Sequence, residues 1–433
     1  MIEKKVLIIA YYWPPSGGSG VQRWLKFVKY LPQFGWQPYV FTPKNPSFII
    51  KDESLLKDVP SEAEIIRFPI WEPYQLFFSI SRIFSKKTIQ QSDFISTGKK
   101  SFSQKITSWI RGNFFIPDAR VFWVKPSVAF LEGFIKSNQI ETIVTTGPPH
   151  SVHLIGLRLK KKNPSLKWLA DFRDPWSEWD LLDTLSLTKL ARKLHRQKEH
   201  EVLATADKVI TIAPFHVVRF EELGGRKVNL LTNGFDEDDF AAIQHKRTSK
   251  FALRHIGIVD ELRDPRPILQ SLKELCQNEA DFENSVEVEF IGNVNSAFVK
   301  YVTDDEVLNK LCTFRNTIPH SELLKLYGET DVQLLVLAHT SIGPGNLPGK
   351  LFEYLASGNS ILGIGPPNGD AANVLKETNA GLILDRIDHD GIKDSIMKYY
   401  FEWLNGISAQ KREVSMYSRK NLTQQLVALL NSL

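Results

Sequence analysis

At 433 residues the chain is too long for one compact core and suits two domains of roughly 200 residues each. Its 42% hydrophobic and 24% charged residues are ordinary for a soluble globular protein, and no run reaches the roughly 18 uninterrupted apolar residues of a membrane span. Two cysteines, Cys276 and Cys312, exclude a disulfide framework and a cysteine metal motif. The start, MIEKKVLIIAYYWPP, reads as a strand stopped by prolines rather than a secretory signal, so we expect a cytoplasmic protein. The net charge of +5 is uneven, because between Pro73 and Lys125 nine Lys/Arg stand against Asp93 and Asp118 alone.

Lys5 to Ala10 reads as a first strand, followed by a loop of small residues from Pro14 to Gly20. Val21, Leu25, Val28 and Leu31 then recur at the spacing of a helix packed on a sheet, and Gln37 to Thr42 supplies the next strand. A glycine loop between a first strand and its helix resembles a dinucleotide fingerprint. The spacing of Gly17, Gly18 and Gly20 is wrong for it, however, and no acidic residue follows the second strand. A plain tight turn is the alternative. Residues 73 to 125 form a basic aromatic insert, with Phe77, Phe78, Phe84, Trp109, Phe114 and Phe115 set among Arg82, Lys86, Lys87, Lys105 and Arg111. That pattern suits an anionic membrane surface, rings below and cations at the headgroups, or else an insertion whose aromatics pack on the core. The rest of the chain offers no basic stripe or module for nucleic acid.

Thr142 to Thr146 reads as a buried strand ending in GPPHS, Val152 to Lys162 as a helix and Lys167 to Phe172 as a strand. The segment ADFRDPWSEW, Ala170 to Trp179, gathers charges and tryptophans at a strand's carboxyl end, where open α/β sheets bind ligands. Arg173 and Asp174 there are functional groups or an ion pair closing the loop. His150 is a candidate general base or a polar loop residue. Thr188 to Thr205 reads as a charged helix, and Asn233-Gly234 as a turn whose following aspartates lack calcium-loop spacing. We expect no metal. Phe251 to Gly257 reads as the strand opening a second domain, followed by a charged loop with Arg263 and Arg266. Lys398 to Leu404 and Asn421 to Leu433 read as terminal helices.

The chemistry concentrates between Val332 and Gly369. An apolar run, Val332 to Leu337, precedes a loop with Gly343, Pro344, Gly345 and Asn346. Pro348 suits the first position of a helix, Gly358 a left-handed stop, and Ser360 to Gly365 a second buried strand. The unpaired N–H groups and positive dipole end of such a helix suit a pyrophosphate. Lys350 and Glu353 share one helix face. The lysine meets phosphate charge and the glutamate accepts from ribose hydroxyls, or the two form a solvated pair worth about 0.2–0.5 kcal/mol.

This stretch resembles the nucleotide-sugar site of retaining glycosyltransferases of family 4, which are α/β proteins of GT-B architecture, two Rossmann-like domains facing across a cleft. The resemblance is clear over residues 1 to 42 and 206 to 384 and loose over 43 to 140. It implies an acceptor-side domain over residues 1–236, a hinge at 237–250, a donor domain over 251–405, and a helix over 406–433 that crosses back to the first domain. Glu353 matches the family's ribose-binding second glutamate, while Gly345 stands where the first is expected. Ile258 replaces the arginine that usually follows the strand glycine. Donor contacts are implied for Lys350, Glu353, either Arg263 or Arg266, Gly345, Asn346 and Leu347, with Pro319 beside the base. Gly17, Gly18 and Gly20 are implied at the cleft, and Asp174 with Arg173 at the acceptor, beside His150 as a third catalytic candidate. The implied reaction is metal-independent transfer of a sugar, with retention, from a nucleotide-diphosphate sugar to a hydroxyl of a glycan or lipid-linked acceptor. No other cofactor is implied, and cell-surface polysaccharide synthesis at the inner face of the membrane is the expected setting. A non-catalytic binding subunit and a nucleotide-sugar epimerase of the same architecture are the rivals.

Overall fold

Runs of apolar residues buried on both faces make two all-parallel sheets, the pattern expected when helices cover each side. The computed structural model describes residues 4–48, 51–72, 102–241, 243–407 and 412–433. The basic aromatic residues Phe77, Phe78, Arg82, Phe84, Lys86 and Lys87 lie outside them. The chain divides into two compact units, Met1–Thr232 with Leu422–Leu433, and Asn233–Asn421. Among the described residues no helix is long and apolar enough to cross a membrane.

The first sheet comprises β1 (Lys4–Ala10), β2 (Trp36–Pro43), β3 (Glu64–Phe68), β4 (Thr142–Gly147), β5 (Lys167–Phe172), β6 (Lys208–Thr211) and β7 (Asn229–Leu230). Their spatial order is β3-β2-β1-β4-β5-β6-β7. Strand side chains alternate between faces, so Val6 and Ile8 of β1 join one core and Leu7 and Ile9 the other. The first face is covered by α1 (Ser19–Tyr30), whose Val21, Trp24, Leu25 and Val28 form its buried stripe. Gly18 precedes it at φ 88°, in the left-handed region that favours glycine. The insert continues into α2 (Phe102–Phe114), and α3 (Val121–Ser137) and α4 (Ser151–Lys162) lie against the opposite face. Trp123 of α3 stacks on Phe41 at 5.1 Å between ring centres, whereas Trp109 and Phe114 of α2 are exposed. Within the described part of the insert, some aromatic rings thus pack on the core and others face solvent. A long helix, α5 (Lys189–Thr205), is capped by Thr188, whose hydroxyl accepts from the Ala191 N–H.

The second sheet comprises β8 (Phe251–Ile256), β9 (Val286–Ile291), β10 (Cys312–Arg315), β11 (Val332–Val336), β12 (Ser360–Ile364) and β13 (Gly381–Leu384), in the order β10-β9-β8-β11-β12-β13. One face is covered by α6 (Arg266–Asn278) and by a later helix spanning His389–Leu404, with Ile268, Leu272, Ile392 and Ile396 buried against Leu253, Val288 and Leu334. Between them in the chain come α7 (His320–Tyr327) and α8 (Gly349–Ser357), and α9 spans His389–Leu404. Helix α8 begins one residue later than the sequence suggests, with Pro348 as its cap, and stops at Gly358 with φ 77°. Helix α9 begins nine residues before Lys398, because Asp388 caps it by accepting from the Gly391 N–H. The last helix, α10 (Arg419–Asn431), buries Leu422, Leu426 and Leu430 among Val6, Ile8 and Val21 of the first unit.

Candidate functional site

Each sheet reverses its winding direction once, between β1 and β4 in the first unit and between β8 and β11 in the second. Open parallel sheets bind ligands beside such reversals, at the carboxyl ends of the strands. Of the residues singled out in the sequence, Gly17, Gly18 and His150 follow β1 and β4, and Arg263, Gly345, Asn346 and Leu347 follow β8 and β11, whereas Arg173 and Asp174 follow β5, Pro319 follows β10, and Lys350 and Glu353 lie on α8.

In the second unit β8 ends at Ile256, whose N–H donates to the buried Tyr354 hydroxyl at 3.1 Å and whose carbonyl accepts from Lys350 Nζ at 3.1 Å. Gly257 follows at φ 139°, and a Cβ there would stand 3.0 Å from Lys350 Nζ. Lys350 therefore points from α8 to the end of β8. Among the described residues it makes no ion pair. Burial, reinforced by the charge of Arg263, lowers its ammonium pKa to about 7. His255, one residue before Ile256, is fully buried, and its Nδ1 sits 3.0 Å from the Leu334 carbonyl. A carbonyl can only accept, so Nδ1 carries the proton and Nε2 keeps its lone pair. Burial and the neighbouring Lys350 hold this imidazole neutral.

Glu353, one turn further along α8, accepts from the Tyr327 hydroxyl at 2.7 Å and pairs with His320 Nε2 at 3.3 Å. Burial pushes its carboxyl pKa up, but the bonds from His320 and Tyr327 and the charge of Arg419 outweigh this and leave it below the usual value. His320, the first residue of α7, thus also holds the Glu353 carboxylate. Pro319 lacks an N–H, and its carbonyl accepts from the Glu322 and Leu323 N–H groups of α7.

The loop before α8 turns at Gly343–Gly345, with Gly345 and Leu347 buried and the Asn346 N–H bonded to the Gly343 carbonyl at 3.0 Å. No side chain caps the start of α8. The two arginines differ. Arg263 is the cation felt by both Lys350 and His255, although Asp260 pairs with it at 2.8 Å. Arg266 is held by Asp264, whose oxygens lie 2.7 and 2.9 Å from its Nε, and its guanidinium sits over the Tyr301 ring.

In the first unit the centre is Asp171, at the end of β5, which sequence reading passed over for its neighbours. It is completely buried and accepts from Arg23 Nε and Nη2 at 3.1 Å each, Trp24 Nε1 at 2.6 Å and Thr146 Oγ1 at 2.9 Å. Arg23 also donates to the Leu231 and Thr232 carbonyls. Arg173 directs its guanidinium at backbone, donating to Gly20 O at 2.8 Å, Gly147 O at 3.1 Å and Pro148 O at 2.6 Å. It thereby joins the glycine loop after β1 to the loop after β4. A Cβ at Gly20 would lie 3.5 Å from this guanidinium, whereas Gly18 is open to solvent. Asp174 is half-buried and adds its charge beside Arg173.

His150 is buried rather than a loop residue in solvent, and its ring stacks on Trp176 at 5.4 Å with the planes 6° apart. Burial, His153 and Arg173 together hold its pKa well below 6.5, so it is neutral. Trp176 is fixed in turn by α5, because its Nε1 donates to His195 Nδ1 at 2.9 Å and its N–H to Glu199 at 2.9 Å. The second Glu199 oxygen takes the Ser177 N–H.

No protein-family model matches the chain, and no curated protein matches it in sequence. Solved structures do match over its full length. Sucrose-phosphate synthase from Thermosynechococcus elongatus superposes with a TM-score of 0.62 at 12% identity, covering 99% of this chain and 98% of the other. The α,α-trehalose-phosphate synthase (UDP-forming) from Burkholderia xenovorans, in complex with glucose-6-phosphate, gives 0.60 at 10% identity, covering 99% and 100%. WaaG, a glycosyltransferase of lipopolysaccharide biosynthesis, gives 0.53 at 11% identity, covering 99% and 95%. The fold is GT-B. Within this GT-B chain the two loop clusters occupy corresponding places, each beside the winding reversal of its own sheet.

Proposed function

We propose that this GT-B protein is a glycosyltransferase that moves a sugar, with retention and without a metal, from a nucleotide-diphosphate sugar to an acceptor hydroxyl. The observation that carries the reading is Lys350, a half-buried side-chain amine with no carboxylate partner among the described residues, at the carboxyl end of a parallel sheet. A charge of that kind is costly alone and favourable with an anion. The uncapped start of α8 adds N–H groups and a positive dipole end on the same element. Glu353, already held ionised by Tyr327 and His320, has lone pairs left for ribose hydroxyls. We assign donor binding to Lys350, Glu353, Arg263 and the loop Gly345-Asn346-Leu347, and set Arg266 aside.

The chemistry asked of these residues is electrostatic. Lys350, Arg263 and helix-end amides stabilise charge on the departing diphosphate, the preorganised role. In the first unit we assign the acceptor hydroxyl to Asp174, with Arg173 positioning its loop rather than touching substrate. His150, neutral and stacked, is a second acceptor-side group. A lipid-linked or cell-surface glycan as acceptor, reached by peripheral membrane contact on the cytoplasmic side, is supported by the exposed Trp109 and Phe114 beside the basic insert. A non-catalytic reading is favoured by two features, the lack of a carboxylate at Gly345 and of a cation at Ile258.

The test is turnover of a panel of nucleotide sugars in the presence of chelator, with the anomeric configuration of the product read by NMR. One donor is expected to release its nucleoside diphosphate and keep its configuration. Inversion would end the retaining reading, and turnover of none would favour the non-catalytic one.

A further inference from the structure

The donor site's cations are unequal. Arg263 and Arg266 are each paired with an aspartate, Asp260 and Asp264, before any ligand arrives. The residue after Gly257, nearest the end of β8, is the uncharged Ile258. The unbalanced charge comes instead from α8, where Lys350 reaches the Ile256 carbonyl. Among the described residues, no element around that ammonium brings a carboxylate to it. From β8 it meets the neutral His255 ring and one carbonyl, and from the following loop Gly257 and the like-charged Arg263. From α8 itself come Tyr354, whose hydroxyl is bonded at Ile256, and Glu353, whose oxygens face Tyr327 and His320.

Resting on the donor reading above, we propose that Lys350 supplies the charge that a loop cation would otherwise provide, and that the diphosphate enters together with one proton, which settles on Lys350 Nζ. Without ligand, burial and Arg263 favour the neutral amine, and the ammonium is half populated at about pH 7. A diphosphate beside it reverses the balance and holds the ammonium at any pH the protein tolerates. The coupling gives the site a preference for the ligand's full negative charge and makes affinity fall as pH rises.

Titration calorimetry of the full chain with uridine, guanosine and adenosine diphosphates tests this, at pH 8 and 9 in pairs of buffers of different ionisation enthalpy. For the nucleotide that binds, proton uptake of about 0.9 per site is expected at pH 8, with affinity about tenfold weaker at pH 9. Lys350→Arg keeps the charge but cannot gain a proton, so it should bind with no uptake and no loss of affinity between these pH values. Lys350→Met, with its melting temperature checked, should bind weakly and without uptake. Tight binding by the wild type with no uptake at pH 8, or uptake that survives in Lys350→Arg, would overturn the inference and leave the donor reading standing. Failure of every diphosphate to bind would remove both.

Discussion

The substitution Asp171→Asn tests the account of the first unit most sharply. Asp171 and Arg23 are 0% and 1% exposed, and the carboxylate receives four hydrogen bonds, three of them on Oδ2. An asparagine preserves shape but must place its amide NH2 at one oxygen position. At Oδ2 it would face three donors, so it should turn towards Oδ1, where it still opposes the donor Arg23 Nη2. Arg23 then keeps its two carbonyl acceptors but loses its counter-charge. Breaking a buried pair in this way costs about 3–5 kcal/mol. Chemical denaturation followed by tryptophan fluorescence reads the transition of this unit, which contains the buried Trp24, Trp123, Trp168 and Trp176. Arg23→Met in the same chain should recover part of the loss, because it removes the stranded charge. Burial pushes the Asp171 carboxyl pKa up, but Arg23 and the hydrogen bonds pull it below normal. Its contribution is therefore full above the unfolded value of about 3.9 and fades only as pH falls below it. A loss under about 1 kcal/mol at pH 7 would refute the reasoning.

Three further outcomes follow from the geometry. Glu353→Gln removes the ion pair with His320 and should weaken nucleoside diphosphate binding about tenfold while leaving inorganic pyrophosphate unaffected, since the carboxylate is assigned to the ribose. Equal loss for both ligands in calorimetry would place Glu353 with the phosphates instead. Arg173→Met frees three backbone carbonyls and should cost about 1–3 kcal/mol of stability while lowering kcat in a transfer assay. An unchanged kcat would show that the two loops hold without it. The double substitution Trp109→Ser, Phe114→Ser should leave the melting temperature within a few degrees, because both rings are exposed, and should reduce co-sedimentation with anionic vesicles. Equal sedimentation with neutral and anionic vesicles would remove the electrostatic part of that idea.

Much of the fold is legible because buried parallel strands are continuous apolar runs, so KVLIIA and the run from Val332 to Leu337 announce themselves. Helix α8 is legible for a different reason, since Pro348 and Gly358 mark its two ends. Helix α9 is shortened in the sequence reading because His389, Asp390 and Gly391 carry no apolar signal, although Ile392, Ile396, Tyr399 and Trp403 repeat at helical spacing. Within the candidate sites, Lys350 and Glu353 are visible on one helix face, but that spacing leaves a solvated pair as the alternative, and only the family resemblance assigns them to a donor. The groups that tune them come from distant strands and helices, His255 from β8 and His320 and Tyr327 from α7, and no spacing rule joins them. Asp171 is hidden beside Arg173 and Asp174 in one short segment. The local clue is Arg23 on the buried side of α1, a cation that requires an acid from elsewhere.

The central claim is that the second unit holds a nucleoside diphosphate through Lys350. Thermal unfolding of the wild type and Lys350→Ala against a panel of nucleoside diphosphates tests it directly. At a hundredfold its dissociation constant the cognate diphosphate should stabilise the wild type by about 2.7 kcal/mol, and the variant much less. Equal stabilisation of both proteins, or of neither by any diphosphate, would contradict it.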